Sequence, residues 1–126
     1  MRTLWAPALI AGSVLVAAMG LDTTVANAAD GNGAQVFAQC AACHSTDGSN
    51  GVGPTLKGVV GRPSASVPGF AYSGAMKRAH VSWTPEELDK YIASPQGTIP
   101  GNTMPFAGLS DAGQRTALIA YLSTLK

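Results

Sequence analysis

The stretch Cys40-Ala41-Ala42-Cys43-His44 decides the interpretation of this sequence. Two cysteines separated by two residues and followed directly by a histidine form the pattern C-x-x-C-H, which is typical of covalent c-type haem attachment. The spacing has a mechanical reason. Two thioether bonds to the vinyl groups fix the porphyrin edge against a helical turn, and the next imidazole then reaches the iron from one face. The motif predicts one covalently bound haem c, with Cys40 and Cys43 as thioethers and His44 as an axial iron ligand.

Three other chemistries use closely spaced cysteines, and the surrounding sequence disfavours each of them. A redox-active dithiol follows a strand in a βαβ unit, and nothing strand-like precedes Cys40. A zinc site needs four ligands, and His80 is the only other histidine in the chain. A structural disulfide between Cys40 and Cys43 would close a very small, strained loop.

A six-coordinate haem needs a second axial ligand, and the candidates after residue 28 are Met76, His80 and Met104. Met104 lies between Pro100 and Pro105, which restrict the backbone of its loop and hold the sulfur in place. Met76 is expected to pack in the haem pocket, and His80 to lie at the surface or in a loop. We therefore expect Met104 to be the ligand. His/Met ligation raises the reduction potential and leaves no open coordination site, which favours outer-sphere one-electron transfer.

Residues 1–28 have the pattern of a secretory signal peptide. Arg2 supplies the positive start, an apolar run follows, and Ala26-Asn27-Ala28 is an A-x-A cleavage site. We predict cleavage after Ala28, which leaves 29–126 as a single monohaem domain in the periplasm with no membrane insertion. An uncleaved, membrane-anchored form is the alternative, since the apolar run is nearly long enough to span a bilayer, but Pro7 and the A-x-A site weigh against it.

The composition indicates a chain that needs a cofactor to complete its core. Eight Lys and Arg against seven Asp and Glu give a formal charge of +1, which excludes a basic surface for nucleic acid. Leu, Ile, Val and Phe make up only about 18% of residues 29–126, below the level at which chains readily build a core. A buried porphyrin would fill this deficit, and we predict that the chain without haem is largely unfolded.

The helical signals predict an all-α fold with three main helices and long ordered loops. The first helix is expected to begin at Asp30 as its N-cap and to run through the C-x-x-C-H motif. Thr84-Pro85-Glu86-Glu87 is a capping box that begins the second helix, which Ser94-Pro95 ends. The third begins at about Ser110 or Asp111. The glycine-rich segment 45–83 has no sustained periodicity and is expected to wrap around the haem.

Together these residues resemble the class I cytochromes c, of the mitochondrial and bacterial cytochrome c2 type. The similarity runs from about Gly33 to Leu122. Besides the C-x-x-C-H motif it is carried by Gly33-x-x-Val36-Phe37, Gly53-Pro54-x-Leu56, Gly61-Arg62, Pro68-Gly69-Phe70-x-Tyr72, Trp83, Tyr91, Ile99-Pro100-Gly101-x-x-Met104 and Leu118-Ile119-Ala120-Tyr121-Leu122. The resemblance implies the cytochrome c fold, wrapped around one covalently bound haem.

The resemblance also implies roles for individual residues. The Pro54 carbonyl would accept the hydrogen bond of the His44 ring and fix its tautomer. Arg62, Tyr72 and Trp83 would surround the inner haem propionate, and Tyr91 would lie near the Met104 sulfur. In the same way, Gly33 and Phe37 would meet Leu118 and Tyr121 at a close helix crossing.

The function implied is that of a soluble, monomeric one-electron carrier rather than an enzyme. By resemblance its partners would be a bc1-type complex and a terminal oxidase or photosynthetic reaction centre. A dedicated electron acceptor or donor of one periplasmic dehydrogenase or oxidase is the alternative. A haem peroxidase or gas-binding sensor would instead require an open sixth coordination position.

Two departures from the family pattern bear on this function. Members often carry a ring of lysines around the exposed haem edge, whereas Gln96, Gly97, Asn102 and Thr103 flank the predicted ligand here. The docking face is therefore expected to be neutral, with little long-range attraction of a partner. Met76 stands where mitochondrial members usually have asparagine, and we expect it to lower the polarity of the pocket.

Overall fold

The structure, a computed structural model, describes residues 26–126, with side chains from Asn32 onward. Most of the predicted signal peptide lies outside this range, so cleavage after Ala28 stays a prediction. The described residues form five helices: α1 (Ala26–Phe37), α2 (Gly74–Ala79), α3 (Pro85–Ala93), α4 (Pro95–Thr98) and α5 (Ala112–Ser123). Apart from one isolated bridge between Pro63 and Ser82, this part of the chain has no β-structure. The all-α prediction is confirmed, and none of these helices is long and apolar enough to cross a membrane.

The first helix differs from the prediction at both ends. It begins at Ala26, so Asp30 lies within the helix rather than at its N-cap, and it ends at Phe37. The C-x-x-C-H motif follows as separate helical turns. The N–H of Cys40 donates to the Phe37 carbonyl at 2.8 Å, and the N–H of His44 donates to the Cys40 carbonyl at 2.9 Å. These turns place both cysteines and the histidine within one compact loop at the end of α1.

The predicted starts of the two later main helices are confirmed by their caps. The Thr84 hydroxyl accepts a hydrogen bond from the N–H of Glu87 at 3.3 Å, with Pro85 as the first residue of α3. The Asp111 carboxylate accepts from the N–H of Gln114 at 2.8 Å and begins α5. Because a side-chain cap fixes where a helix starts, α3 and α5 each begin at a defined residue.

Two short helices lie in segments that the sequence analysis assigned to loops. The Ser73 hydroxyl caps α2 by accepting from the N–H of Met76 at 3.0 Å, and α2 ends at Ala79, followed by His80 as the C-cap in a left-handed conformation. α4 occupies the four residues that follow Ser94 and begins with the buried Pro95. Helices of one turn are too short to show an apolar repeat, so the sequence pattern gave no signal for them.

The core is organised around the crossing of α1 and α5. Gly33 lies at the crossing point, where a Cβ would come within 2.7 Å of the Tyr121 Cβ and would overlap the Ala117 carbonyl. The rings of Phe37 and Tyr121 pack there with centroids 5.3 Å apart. Leu118, 2% exposed, continues the core toward α3. The close crossing that the resemblance implied for Gly33 is therefore present.

Candidate functional site

A single cleft brings together the residues predicted to surround the haem. It has a volume of about 250 Å³, and its walls are mostly apolar side chains. All the predicted site residues line it: Cys40, Cys43, His44, Pro54, Arg62, Tyr72, Trp83, Tyr91 and Met104. They come from segments far apart in the sequence, so the fold, rather than chain proximity, assembles the site.

A hydrogen bond at its Nδ1 atom holds the His44 ring in one tautomer. Its Nδ1 lies 2.7 Å from the Pro54 carbonyl oxygen. A carbonyl only accepts, so Nδ1 must carry the proton and Nε2 keeps the free lone pair that a metal needs. The Gly53 backbone lies close against the ring, because a Cβ at this position would be 2.7 Å from Nδ1. The imidazole is thus held in one orientation, with a free Nε2 lone pair that can bind iron.

The two cysteines beside this ring are free thiols, each partly buried on the cleft wall. Burial, and then the neighbouring Cys43, raises the pKa of the Cys40 thiol. Among the described side chains, no cluster of three or more His, Cys, Asp or Glu could hold a metal ion.

The loop that carries Met104 forms another part of the wall. Its backbone is tied to the Asn102 side chain, whose Oδ1 accepts from the N–H of Met104 at 3.0 Å. The Met104 carbonyl in turn accepts from the N–H of Phe106 at 2.9 Å. The second methionine of the cleft, Met76, is partly buried in the core beside it, as predicted for a packing role.

Asn102 is the residue whose position the sequence analysis misassigned. It was expected to contribute to a neutral exposed face, whereas it is buried, with 6% of its surface exposed. Gln96 is exposed, but its amide is bonded to the Met104 loop rather than being available for partners. A polar amide in a proline-rich loop was the one available signal, because such a side chain can replace missing backbone hydrogen bonds.

Polar donors gather at one part of the otherwise apolar wall. The Arg62 guanidinium donates to the carbonyls of Lys57 at 2.9 Å and Thr55 at 3.0 Å, which fixes it against the cleft. The Tyr72 hydroxyl accepts from the N–H of Val67 at 3.1 Å, so its own proton is free to be donated. The Trp83 indole N–H has no partner among the described residues. Donors of this kind can bind a carboxylate such as a haem propionate, so the predicted role of these residues stays a prediction that their chemistry fits.

Tyr91 lines the same cleft. Its ring packs against Trp83 with centroids 5.0 Å apart, and burial raises the pKa of Tyr91 to about 12. The phenol therefore stays neutral at physiological pH and adds no charge to the cavity. A covalently attached haem requires thiols, an imidazole with a free Nε2, a thioether and carboxylate-binding donors around one apolar cleft. The residues present supply these groups and fit it.

Known proteins share both the sequence and the fold of this chain. A family model described as Cytochrome c matches residues 31–126. The chain is 55% identical over 86 residues to the cytochrome c-type cyt cy of Rhodobacter capsulatus, covering 68% of this chain but only 43% of that longer protein. It is 47% identical over 90 residues to cytochrome c2 iso-2 of Magnetospirillum fulvum, covering 71% of this chain and 94% of the relative.

A solved structure agrees with these sequence matches. Cytochrome cH from Methylobacterium extorquens superposes with a TM-score of 0.73 at 42% sequence identity. The superposition covers 75% of this chain and 97% of the other. Identity at this level over nearly the whole of the compared protein reflects a shared family as well as a shared fold.

Proposed function

Because this chain belongs to the cytochrome c family as a class I monohaem member, we propose that it is a soluble periplasmic electron carrier with His44 and Met104 as axial iron ligands. The covalent haem c at Cys40, Cys43 and His44 and the role of an electron-transfer protein rather than an enzyme follow from the family. The observation that carries the ligand assignment is that His44, with Nε2 free, and Met104 line the same cleft.

The chain's own residues divide the work of the site. The haem supplies an iron that gains and loses one electron. The Pro54 carbonyl holds the His44 tautomer, and the loop bonds around Met104 present its thioether sulfur. Apolar residues such as Leu118 and Leu122 exclude water from the cleft, which disfavours the more highly charged ferric state and raises the potential. If His44 and Met104 both bind the iron, no coordination position would remain open for a substrate.

Arg62, Tyr72 and Trp83 are proposed to neutralise the buried end of the haem. Each brings an N–H or O–H to the same polar part of the wall, and Arg62 brings a positive charge. Hydrogen bonds to ionised groups are among the strongest in proteins, so these donors would keep a propionate ionised inside the protein. The apolar remainder of the cleft then surrounds the porphyrin itself.

The surface around the cleft mouth supports docking without electrostatic steering. Exposed wall residues are uncharged, as in Gln39, Val52, Thr103 and Pro105, and Val52 is 74% exposed. Among the described residues of the wall, Arg62 is the one with a permanent charge, and it is bonded inward. We expect transfer to a partner such as a bc1-type complex, a terminal oxidase or a reaction centre to depend only weakly on ionic strength.

The same neutral rim favours a second candidate, a carrier dedicated to one periplasmic dehydrogenase or oxidase. Stopped-flow electron transfer over a range of salt concentrations, with each purified candidate partner, separates the two. Rapid transfer with only one dehydrogenase would favour the dedicated role. A steep fall in rate with added salt would contradict the neutral docking face for either role.

The ligand assignment has a matched control within the cleft. In the ferric holoprotein, Met104→Leu is expected to abolish the long-wavelength absorption band of Met–iron ligation. Met76→Leu, which changes the other methionine of the cleft in the same way, is expected to keep it. Retention of the band in Met104→Leu would exclude Met104 as the ligand. An absent band in the unmodified protein would favour the open-site alternatives of a peroxidase or a gas sensor.

The cellular part of the proposal is tested on the purified periplasmic protein. Signal-peptide cleavage predicts an N-terminal sequence that starts at Ala29. A start at Met1 would show an uncleaved, membrane-anchored form. Size-exclusion chromatography with light scattering measures whether the holoprotein is the expected monomer.

A further inference from the structure

Asn102 is one of only two buried polar side chains in the described core, and its amide makes three hydrogen bonds to the backbone of α4 and of the Met104 loop. Its Nδ2 donates to the Pro95 carbonyl at 2.9 Å and to the Ile99 carbonyl at 2.8 Å. Its Oδ1 accepts from the N–H of Met104 at 3.0 Å. The side chain therefore joins both ends of α4 to the backbone of Met104.

Gln96 adds a second connection between α4 and the same loop. Its Nε2 donates to the Asn102 carbonyl at 2.8 Å, and its Oε1 accepts from the N–H of Gly101 at 3.2 Å. α4 is itself fixed to the core through Pro95, which is less than 2% exposed. The bonds form a continuous path from a buried proline to the backbone of Met104.

From this network we propose that Asn102 is a positioning residue that holds the Met104 sulfur within reach of the iron, an inference that rests on the proposed Met104 ligation. A backbone movement that withdraws Met104 would break the Asn102 bond to the Met104 N–H. It would leave the buried Oδ1 of Asn102 without this partner, while Nδ2 stays bonded to Pro95 and Ile99. Leaving buried polar groups without partners is costly, so the closed arrangement is strongly favoured.

Few other side chains could make this set of bonds. The position requires one acceptor for a backbone N–H and two donors for carbonyls, in a short side chain. Aspartate supplies the acceptor but turns an oxygen toward the Pro95 and Ile99 carbonyls, and alanine supplies none of the three. The amide of Asn102 satisfies all of them, which explains how a polar residue is accommodated in the core.

Imidazole binding to the ferric holoprotein measures how readily Met104 leaves. The apparent affinity of an external ligand rises in proportion to the fraction of protein in which the sixth position is open. Asn102→Ala is expected to bind imidazole about tenfold more tightly and to show a weaker Met–iron band. Gln96→Ala, which truncates an exposed side chain and leaves the core intact, is expected to give about a threefold increase in imidazole affinity.

Asn50→Ala is the matched control. Asn50 also bonds two loop backbone groups, donating to the Pro68 carbonyl at 3.0 Å and accepting from the Thr55 N–H at 3.2 Å, but it has no bond to the Met104 loop. This variant is expected to lose stability in urea while its imidazole affinity changes less than twofold. Equal imidazole affinities for Asn50→Ala and Asn102→Ala would overturn the positioning role.

Met104→Leu, measured in parallel, separates this inference from the proposed ligation. It is expected to bind imidazole more tightly than any of the other variants. If its affinity equals that of the unmodified protein, Met104 is not the ligand and the proposed function fails. If Met104→Leu binds tightly while Asn102→Ala behaves like Asn50→Ala, the ligation stands and only the positioning role is wrong.

Discussion

Replacing Gly33 with alanine tests how much stability depends on the close crossing of α1 and α5. The added Cβ would lie 2.7 Å from the Tyr121 Cβ and would overlap the Ala117 carbonyl, so backbone must move. Overpacking of this kind costs about 1–3 kcal/mol, and alanine recovers only about 1 kcal/mol through its better helix propensity. Because the obstacle is backbone rather than a flexible side chain, we take the upper part of that range and expect a net loss of about 2 kcal/mol.

Urea unfolding of the holoprotein, followed by circular dichroism, measures this loss directly. For a domain of this size about 2 kcal/mol corresponds to a decrease in Tm of roughly 10 °C. Gly113→Ala is the matched control, since Gly113 lies in α5 and a Cβ there would meet only the Asp111 carboxylate at 3.2 Å. We expect the control to be unchanged or slightly more stable. Equal stabilities of the two variants would refute the steric argument for Gly33.

Three further predictions concern other parts of the molecule. The Ser49 hydroxyl and N–H lower the pKa of Asp47 from 3.8 to about 2. The stability that the ionised Asp47 contributes is therefore present above about pH 4 and is lost as the pH falls through 2. In urea titrations at a series of pH values, Asp47→Asn should flatten the dependence of stability on pH in this range. Arg115, whose side chain is 13% exposed, bonds the Asp89 carboxylate and two backbone carbonyls, so Arg115→Met should cost about 2 kcal/mol of unfolding free energy. Lys90→Met, which removes an exposed ion pair with Glu87, should leave the unfolding free energy nearly unchanged, and equal losses in the two variants would contradict the larger contribution of Arg115. Redox titration of Met76→Asn should give a lower reduction potential, because a polar amide in the cleft favours the ferric state. Met76→Leu, the control, should leave the potential nearly unchanged. An unchanged or higher potential in Met76→Asn would count against this reasoning.

The sequence could predict the parts of the site whose chemistry is local. C-x-x-C-H specifies its own spacing, and the caps at Thr84 and Asp111 are short-range signals that the structure confirms. The grouping of Arg62 and Tyr72 on one wall came through the resemblance, because their meeting depends on a long loop without any periodic pattern.

The contacts that the sequence did not predict depend on how distant segments turn back on one another. Asn102 is buried only because α4, a helix too short to leave a pattern, places two carbonyls beside it. Arg115 carried no motif either, and its role arises where α5 passes α3 and the loop after Met104. In both cases a polar side chain satisfies backbone groups that only the tertiary structure leaves without partners.

The packing of α5 against α1 also determines when the wall of the cleft can be completed. Synthesis runs from the N-terminus, so α5 emerges after the C-x-x-C-H motif and the Met104 loop. Until then Gly33 has no neighbouring helix, and the cleft lacks the wall that Leu118 and Leu122 provide. A chain in which α5 has not yet packed against α1 therefore has a cleft that is open on this side. The last helix to be made is the one that completes the wall of the cleft.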